Sequence, residues 1–194
     1  MSNSVIPKND FRIQYFVGSL ITAIAAIVGL IKVLATLLSV LLSQQMLLGA
    51  QSPALISTRD NSLDGFGTLV IAGALWFYYW IKSANAKTND KIWLTYVLVA
   101  GVGGGLVLVL TSLTVTLYQA LVWFIGDPAS QVTSEHFKGL PVSAAIAFVG
   151  LLTWWYHKSL LPLDSQRSQT QRIYEYVVAA ISLMASTVGI AIII

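Results

Sequence analysis

Long apolar runs separated by short polar segments dominate the pattern of this chain. From Ile13 to Gly49 the only charged residue is Lys32, and from Ile92 to Ile125 there is none. Each run exceeds the roughly 20 apolar residues that a helix needs to cross a bilayer. The pattern therefore predicts an all-α integral membrane protein.

Five segments are predicted to span the membrane. They start near Phe11, cover about 66–82, start near Lys91, cover about 140–158, and run from Arg172 to Ile194. Residues that cap or break helices, such as prolines and asparagines, separate the segments. We therefore expect about five transmembrane helices joined by short connections.

Basic residues are distributed unevenly between the two sides of this arrangement. The N-terminus and the second and fourth connections carry eight lysines and arginines, whereas the first and third connections carry only Arg59 and Lys138. Short cytoplasmic loops are enriched in such residues. We therefore expect a multi-pass protein of the cell inner (plasma) membrane, with its N-terminus in the cytoplasm and its C-terminus outside.

The first and third segments are longer than one membrane crossing. As a helix, residues 11–48 would reach about 57 Å, whereas the hydrocarbon core is about 30 Å thick. Polar residues share one helical face in the outer part of each segment: Lys32, Thr36, Ser39 and Ser43 in the first, and Ser112, Thr116 and Gln119 in the third. We expect each segment to span and then to continue as an amphipathic helix at the outer surface. A kink, or a single tilted helix, fits the pattern equally well.

The sequence matches itself when it is shifted by about eighty residues. Phe16 falls on Tyr96 and Tyr176, and at a slightly smaller shift Gly73 falls on Gly150, each glycine preceding an aromatic cluster. We interpret the chain as parallel units of one long and one short helix. The units are residues 1–88, residues 89–168 and a partial third copy at residues 169–194.

The starts of these units and the short helices also resemble a known family. Residues 171–178 read Gln-Arg-Ile-Tyr-Glu-Tyr-Val-Val, and the short helices read Gly-Ala-Leu-Trp-Phe-Tyr-Tyr-Trp from Gly73 and Gly-Leu-Leu-Thr-Trp-Trp-Tyr-His from Gly150. They are similar to a bacterial multi-span membrane protein family of unknown function, built from repeated Arg-Arg-Leu-Tyr-x-Tyr two-helix units whose short helix ends in Gly-x-x-x-Trp-x-x-His-Trp. Gln14 and Trp93 depart from that pattern where the first tyrosine of a unit would stand. The resemblance implies a multi-span helical fold and no particular activity.

Two aromatic clusters are candidates for contact with a ligand or with lipid. Their key members are Trp76 and Trp80 in the second segment, and Trp154, Trp155 and His157 in the fourth. At the predicted cytoplasmic ends of these helices, such rings are typical of an interfacial belt. The alternative is a stacking surface for a quinone, a pigment or a lipid. We expect His157 to be solvated or to cap its helix, with ligation of a magnesium chlorin as the alternative.

Small residues indicate where helices approach each other closely. The predicted helix-packing residues are Gly101, Gly104 and Gly105 in the third segment and Ala185 and Gly189 in the fifth. Small residues at a spacing of four allow two helix backbones to come together in a membrane. A flexible hinge in the third segment is the alternative interpretation of its glycines.

Composition argues against most catalytic classes. The chain is 56% hydrophobic and 10% charged, against about 25% charged in soluble domains. Ion pumps, proton relays and intramembrane hydrolases need ionisable groups within the membrane, and the predicted spans offer few. The chain has no cysteine, and its pattern contains no metal-ligand cluster, acid–base pair or phosphate loop. We therefore predict no enzyme activity, no metal site, no required cofactor and no nucleic-acid partner.

Three functions remain open at this point. The first is a non-catalytic accessory subunit that packs against membrane lipids and other membrane protein subunits, for example in a respiratory or photosynthetic assembly. The second is a small-solute transporter or channel, with a pathway lined by Thr22, Thr111, Thr114 and Ser182. The third is a quinone- or pigment-binding membrane module built on the aromatic clusters.

Overall fold

A computed structural model describes residues 10–44, 54–84, 91–161 and 169–193 of the protein. Every regular element in these four ranges is a helix, which confirms the all-α fold. The elements are α1 (Asp10–Gln44), α2 (Ala54–Ala84), α3 (Lys91–Thr95), a π-helical segment (Tyr96–Gly103), α4 (Gly104–Phe124), α5 (Thr133–His136), α6 (Leu140–Leu160) and α7 (Gln169–Ile193). Three stretches are long and apolar enough to cross a membrane: Ile13–Leu42, Ile92–Phe124 and Thr133–Leu160.

The first and third predicted segments are each continuous in the structure. α1 is one unbroken helix of 35 residues, which corresponds to about 52 Å at 1.5 Å per residue. The third segment runs without a break from Lys91 to Phe124, and its second turn passes into the π-helical segment. π-helical turns are rare and often occur at functional sites. The sequence pattern contained no signal for this one.

α2 is longer than the predicted span of 66–82. It begins at Ala54, so Asp64, which precedes the predicted span, also lies within the helix. The carboxylate of Asp64 pairs with the ammonium group of Lys32 on α1. This ion pair and the close backbone packing at Gly65 stabilise the part of α2 that precedes the predicted span. They explain why this polar part is helical and lies alongside α1.

The polar faces of the long helices turn toward their neighbours rather than outward. Lys32 reaches α2 through Asp64. On α4, Ser112 is buried, and the backbone carbonyl of Gln119 lies 2.8 Å from Nε2 of His136 in α5. Both faces therefore include contacts within the protein, and their place at the outer membrane surface stays a prediction.

α1 and α2 cross at a pair of glycines. A Cβ atom on Gly29 would lie 2.7 Å from the backbone nitrogen of Leu69, and one on Gly65 would lie 2.7 Å from Cβ of Lys32. Real Cβ atoms essentially never approach other atoms so closely. Glycine at both positions is therefore required for the observed separation of the two helices.

α4 and α6 cross in the same way. A Cβ atom on Gly105 would lie 2.6 Å from the backbone nitrogen of Trp154, and one on Gly150 would lie 2.8 Å from Cβ of Leu108. In both crossings, the residue contacted on the short helix lies four positions after the glycine of that helix. The residue contacted on the long helix lies three positions after the glycine of that helix. The sequence comparison had paired Gly150 with Gly73, which takes no part in the first crossing.

The apolar core lies at the end of the bundle where the π-helical segment meets α2 and α6. Its buried members are Phe16, Trp80, Trp93, Tyr96, Val97, Leu98, Val102 and Leu161. Four of these eight residues belong to the π-helical segment. This segment therefore forms the packing centre of the described part of the bundle.

Candidate functional site

The two aromatic clusters meet inside the bundle. The indole nitrogen of Trp80 donates a hydrogen bond of 2.8 Å to the hydroxyl of Tyr156. The rings of Trp76 and Tyr156 are 6.0 Å apart, and so are those of Trp80 and His157. One face of each cluster thus packs against the other, and the opposite faces, including Trp155, are exposed. The clusters are consequently divided between an interior contact and an outer surface.

Tyr96 connects this aromatic contact to α1. It lies at the start of the π-helical segment, and its buried hydroxyl is 3.0 Å from Oγ of Ser19. The indole nitrogen of Trp76 donates to the same hydroxyl at 3.4 Å, and the ring of Trp80 lies 4.8 Å away. A buried polar network of this kind is stabilising only when its members are satisfied, and these contacts satisfy the tyrosine hydroxyl.

His157 is buried rather than solvated, with only 5% of its surface exposed. Its Nδ1 lies 2.8 Å from the backbone carbonyl of Thr153. Because a carbonyl can only accept, Nδ1 carries the hydrogen and Nε2 of the neutral ring is an acceptor. Nε2 is enclosed and has no hydrogen-bond partner within the described ranges.

Gly101 makes room for this histidine. A Cβ atom at position 101 would lie 2.0 Å from Cγ of His157 and 2.5 Å from its Cβ. The imidazole therefore packs directly on the backbone of the π-helical segment. Any side chain at position 101 would push α6 away or turn the imidazole out of its site.

An apolar cleft of about 390 Å³ lies beside the aromatic contact, between α1, α2 and α6. It is lined by Ala23, Ala26, Ile27, Leu30, Leu69, Gly73, Trp76, Phe77, Val149, Leu152, Thr153, Tyr156 and His157. The residues with polar atoms lie toward one end, and the opposite end is formed by leucine, isoleucine and valine. The α1 positions from 23 to 30 correspond to a length of about 10 Å.

The other predicted packing residues occupy different environments. Gly105, like Gly101, lies against α6. The Cβ direction of Gly104 is open, because the nearest atom is a backbone oxygen of its own helix at 4.0 Å. Ala185 is exposed, and Gly189 lies outside the residues whose side chains are described.

Trp154 belongs to the α4–α6 crossing rather than to the cleft. Its backbone contacts Gly105, and the ammonium group of Lys158 lies 5.0 Å from the centre of its ring. The indole nitrogen is buried without a hydrogen-bond partner in the part of the chain that the structure describes. Among the predicted contact residues, the structure thus brings together Trp76, Trp80 and His157. Trp154 packs against the same core from the α4–α6 crossing, and Trp155 is exposed.

The hydroxyl residues proposed for a transport pathway do not gather around one cavity. Thr111, Thr114 and Ser182 are exposed. Thr22 donates to the backbone carbonyl of Gly18 at 2.7 Å, and Thr114 donates likewise within its own helix. Hydroxyls that bond to their own helix are typical of ordinary membrane-helix packing.

Sequence reasoning did not single out Tyr96, Ser19 or Tyr156 as site residues. A signal existed for Tyr96, since it matches Phe16 in the internal comparison and adds a hydroxyl in an apolar run. Ser19 had no local signal, because serine is common in membrane helices. Its role depends on a contact with a residue 77 positions away.

The chain matches no protein-family model, no curated protein and no solved structure. The resemblance to the bacterial two-helix family therefore stays a prediction.

Proposed function

We propose that the protein is a non-catalytic integral membrane subunit, which contacts lipid and other membrane subunits through the outside of its helix bundle. One observation supports this proposal above the others. The stretch Ile13–Leu42 has the highest mean hydropathy of the three candidate spans, yet only 6% of its most apolar window is buried within the protein. A monomer in water rarely exposes a contiguous apolar surface of this kind, whereas a lipid environment favours it.

The distribution of side chains across the bundle supports the same proposal. Large apolar side chains point outward from different helices, among them Ile21 on α1, Ile71 on α2 and Phe148 on α6. Small polar side chains, including Ser19 and Ser143, are buried between helices. Small residues at helix–helix contacts and apolar residues outside are the arrangement expected in membranes.

The finer topology is part of this proposal. α2 and α7 are the second and fifth spans, the N-terminus is cytoplasmic, and the C-terminus lies outside the inner membrane. The excess of lysine and arginine in alternate connections supports this orientation. The two glycine crossings support a further part of the proposal, that α1–α2 and α3–α6 are parallel copies of one two-helix unit of the kind found in the bacterial family.

Cysteine labelling tests the insertion and the orientation. The chain has no cysteine, so Ser2→Cys and Ser130→Cys each introduce one unique thiol. A maleimide that does not cross membranes should label position 130 in intact cells and position 2 only after lysis. Labelling of position 2 in intact cells would contradict the orientation. Release of the protein from membranes by alkaline carbonate would contradict the insertion.

Extraction in a mild detergent tests the role as a subunit. The tagged full-length chain should elute in a particle much larger than a single chain in its micelle, with other membrane proteins in constant ratio. Recovery of a monodisperse single chain, from membranes where labelling shows normal insertion, would refute the subunit role and leave the membrane placement intact.

A further inference from the structure

The cleft between α1, α2 and α6 has the size of a small-molecule site. Its volume of about 390 Å³ falls in the range of such sites, about 300–1,000 Å³. A small molecule is therefore an occupant that fits.

The lining of the cleft selects a neutral molecule. None of the thirteen lining residues that the structure describes is a lysine, arginine, aspartate or glutamate. Moving an ionised head group into such surroundings without a counter-charge is strongly unfavourable. A fatty-acid carboxylate or a phospholipid head therefore does not fit the cleft, although an apolar tail does.

Among the lining residues that the structure describes, one hydrogen-bond donor remains available. The hydroxyl of Thr153 donates to the carbonyl of Val149 at 2.8 Å, Nδ1 of His157 donates to the carbonyl of Thr153, and the indole of Trp76 donates to Tyr96. The hydroxyl of Tyr156 accepts from Trp80 and retains its own hydrogen.

Tyr156, which carries the available hydroxyl, lines the aromatic end of the cleft. The rings of Trp76, Phe77 and Tyr156 all line this end. Aromatic side chains favour offset-stacked or edge contacts with another flat ring. A planar head group with an acceptor oxygen satisfies both the rings and the free donor.

We propose that this cleft binds a lipid-soluble molecule of the quinone class. Its head carbonyl accepts a hydrogen bond from the Tyr156 hydroxyl beside Trp76, and its apolar tail follows α1 from Ala23 toward Leu30. The inference concerns binding alone and involves no electron transfer. It rests on the proposed membrane location, because the membrane is where a ligand of this class dissolves.

Two glycines of α2 provide a matched test. Gly73 lines the cleft, whereas Gly67 lines a separate groove between α1 and α2. A Cβ atom would meet nothing within 4 Å at either position. Gly73→Leu therefore fills the cleft without disturbing a backbone, and Gly67→Leu adds the same side chain elsewhere on the same helix.

The binding assay uses the purified full-length chain in nanodiscs of phosphatidylcholine. A short-tailed ubiquinone analogue is titrated while tryptophan fluorescence is recorded, since Trp76 lies at the head position. We expect saturable quenching that Gly73→Leu weakens at least tenfold and Gly67→Leu leaves unchanged. Tyr156→Phe should weaken binding about fivefold to tenfold, the loss of one hydrogen bond of about 1–1.5 kcal/mol. The exposed residue Tyr118 provides the control Tyr118→Phe, which should have no effect.

The outcomes separate this inference from the proposed function. Quenching that does not saturate, or that Gly73→Leu does not weaken, would overturn the quinone site. Equal competition by palmitate or by added phospholipid would also overturn it, because the cleft would then hold acyl chains without regard to the head. None of these results bears on membrane insertion, which the cysteine labels report independently.

Discussion

Replacing Gly105 by alanine tests the packing of the second helix pair most directly. The added Cβ would lie 2.6 Å from the backbone nitrogen of Trp154 and 2.9 Å from the backbone oxygen of Gly150. Ordinary contact begins at 3.4 Å. Both obstructing atoms belong to the backbone of α6, so no side chain can rotate away. α4 and α6 must instead separate by most of an ångström.

Gly104 provides the matched control one residue earlier. A Cβ there has no neighbour closer than 4.0 Å. Both substitutions gain the same helix-forming advantage of alanine over glycine, about 0.5–1 kcal/mol. Only Gly105→Ala carries the overpacking penalty, which is typically about 1–3 kcal/mol. The difference between the two variants therefore isolates the helix contact, and it corresponds to a fivefold to more than hundredfold change in the folding equilibrium, at about 1.4 kcal/mol for each factor of ten.

The two variants and the unaltered chain are purified in the same mild detergent. Each is then titrated with a denaturing detergent, and the loss of helix is followed by circular dichroism. We expect Gly104→Ala to be as stable as the unaltered chain or more stable, and Gly105→Ala to unfold at clearly lower denaturant. Equal midpoints for the two variants would refute the close crossing at Gly105, because the shared gain from alanine cancels in the comparison.

Three further variants, one of them a double exchange, test other contacts. Gly101→Ala should destabilise the protein at least as much as the change at position 105, because the new Cβ overlaps the base of an α6 imidazole at 2.0 Å; thermal unfolding equal to that of the unaltered chain would contradict that packing. Tyr96→Phe should lower the free energy of unfolding by about 1–3 kcal/mol, since it leaves a buried serine hydroxyl without its partner, whereas Tyr118→Phe at an exposed site should change it little. Exchanging Lys32 and Asp64 in a double variant should recover most of the stability that is lost when either charge alone is reversed. The expected coupling energy is about 0.2–1 kcal/mol for a pair this exposed. Zero coupling in the double-mutant cycle would show that the pair does not hold α1 against α2.

The boundaries of the helices were predictable where polarity and helix ends coincide. α6 was expected over about 140–158 and is found at Leu140–Leu160, because Gly139 and Pro141 mark its start and the chain turns polar after it. The predicted start of α2 was wrong for the opposite reason, since the helix begins at Ala54 and not near Phe66, a difference of about three turns. Asp64 is polar and yet lies within a helix, since its charge meets Lys32 on another helix. Local polarity cannot distinguish a solvated loop from a helical position with a distant charged partner.

The candidate site was only partly predictable, because its contacts also join residues that are far apart in the sequence. Aromatic residues at the end of two short helices drew attention to Trp76, Trp80 and His157 as contact residues. Their packing against each other, the burial of the imidazole on Gly101 and the available hydroxyl of Tyr156 depend on how α2, α6 and the π-helical segment meet. Sequence patterns describe one helix at a time, so they contained no information on which faces would pair.

The sequence alone predicted that the protein is helical and has long apolar stretches, and the structure describes three stretches that are long and apolar enough to cross a membrane. Both properties follow from consecutive residues, because mean hydropathy is an average over neighbours in sequence and helix length depends on an uninterrupted run of them. Only the tertiary structure decided where helices touch, which glycines are required and where a cleft remains. Those features follow from contacts between residues far apart in the chain, such as the 77 positions that separate Ser19 from Tyr96. Close packing allows such contacts only at particular pairs of positions.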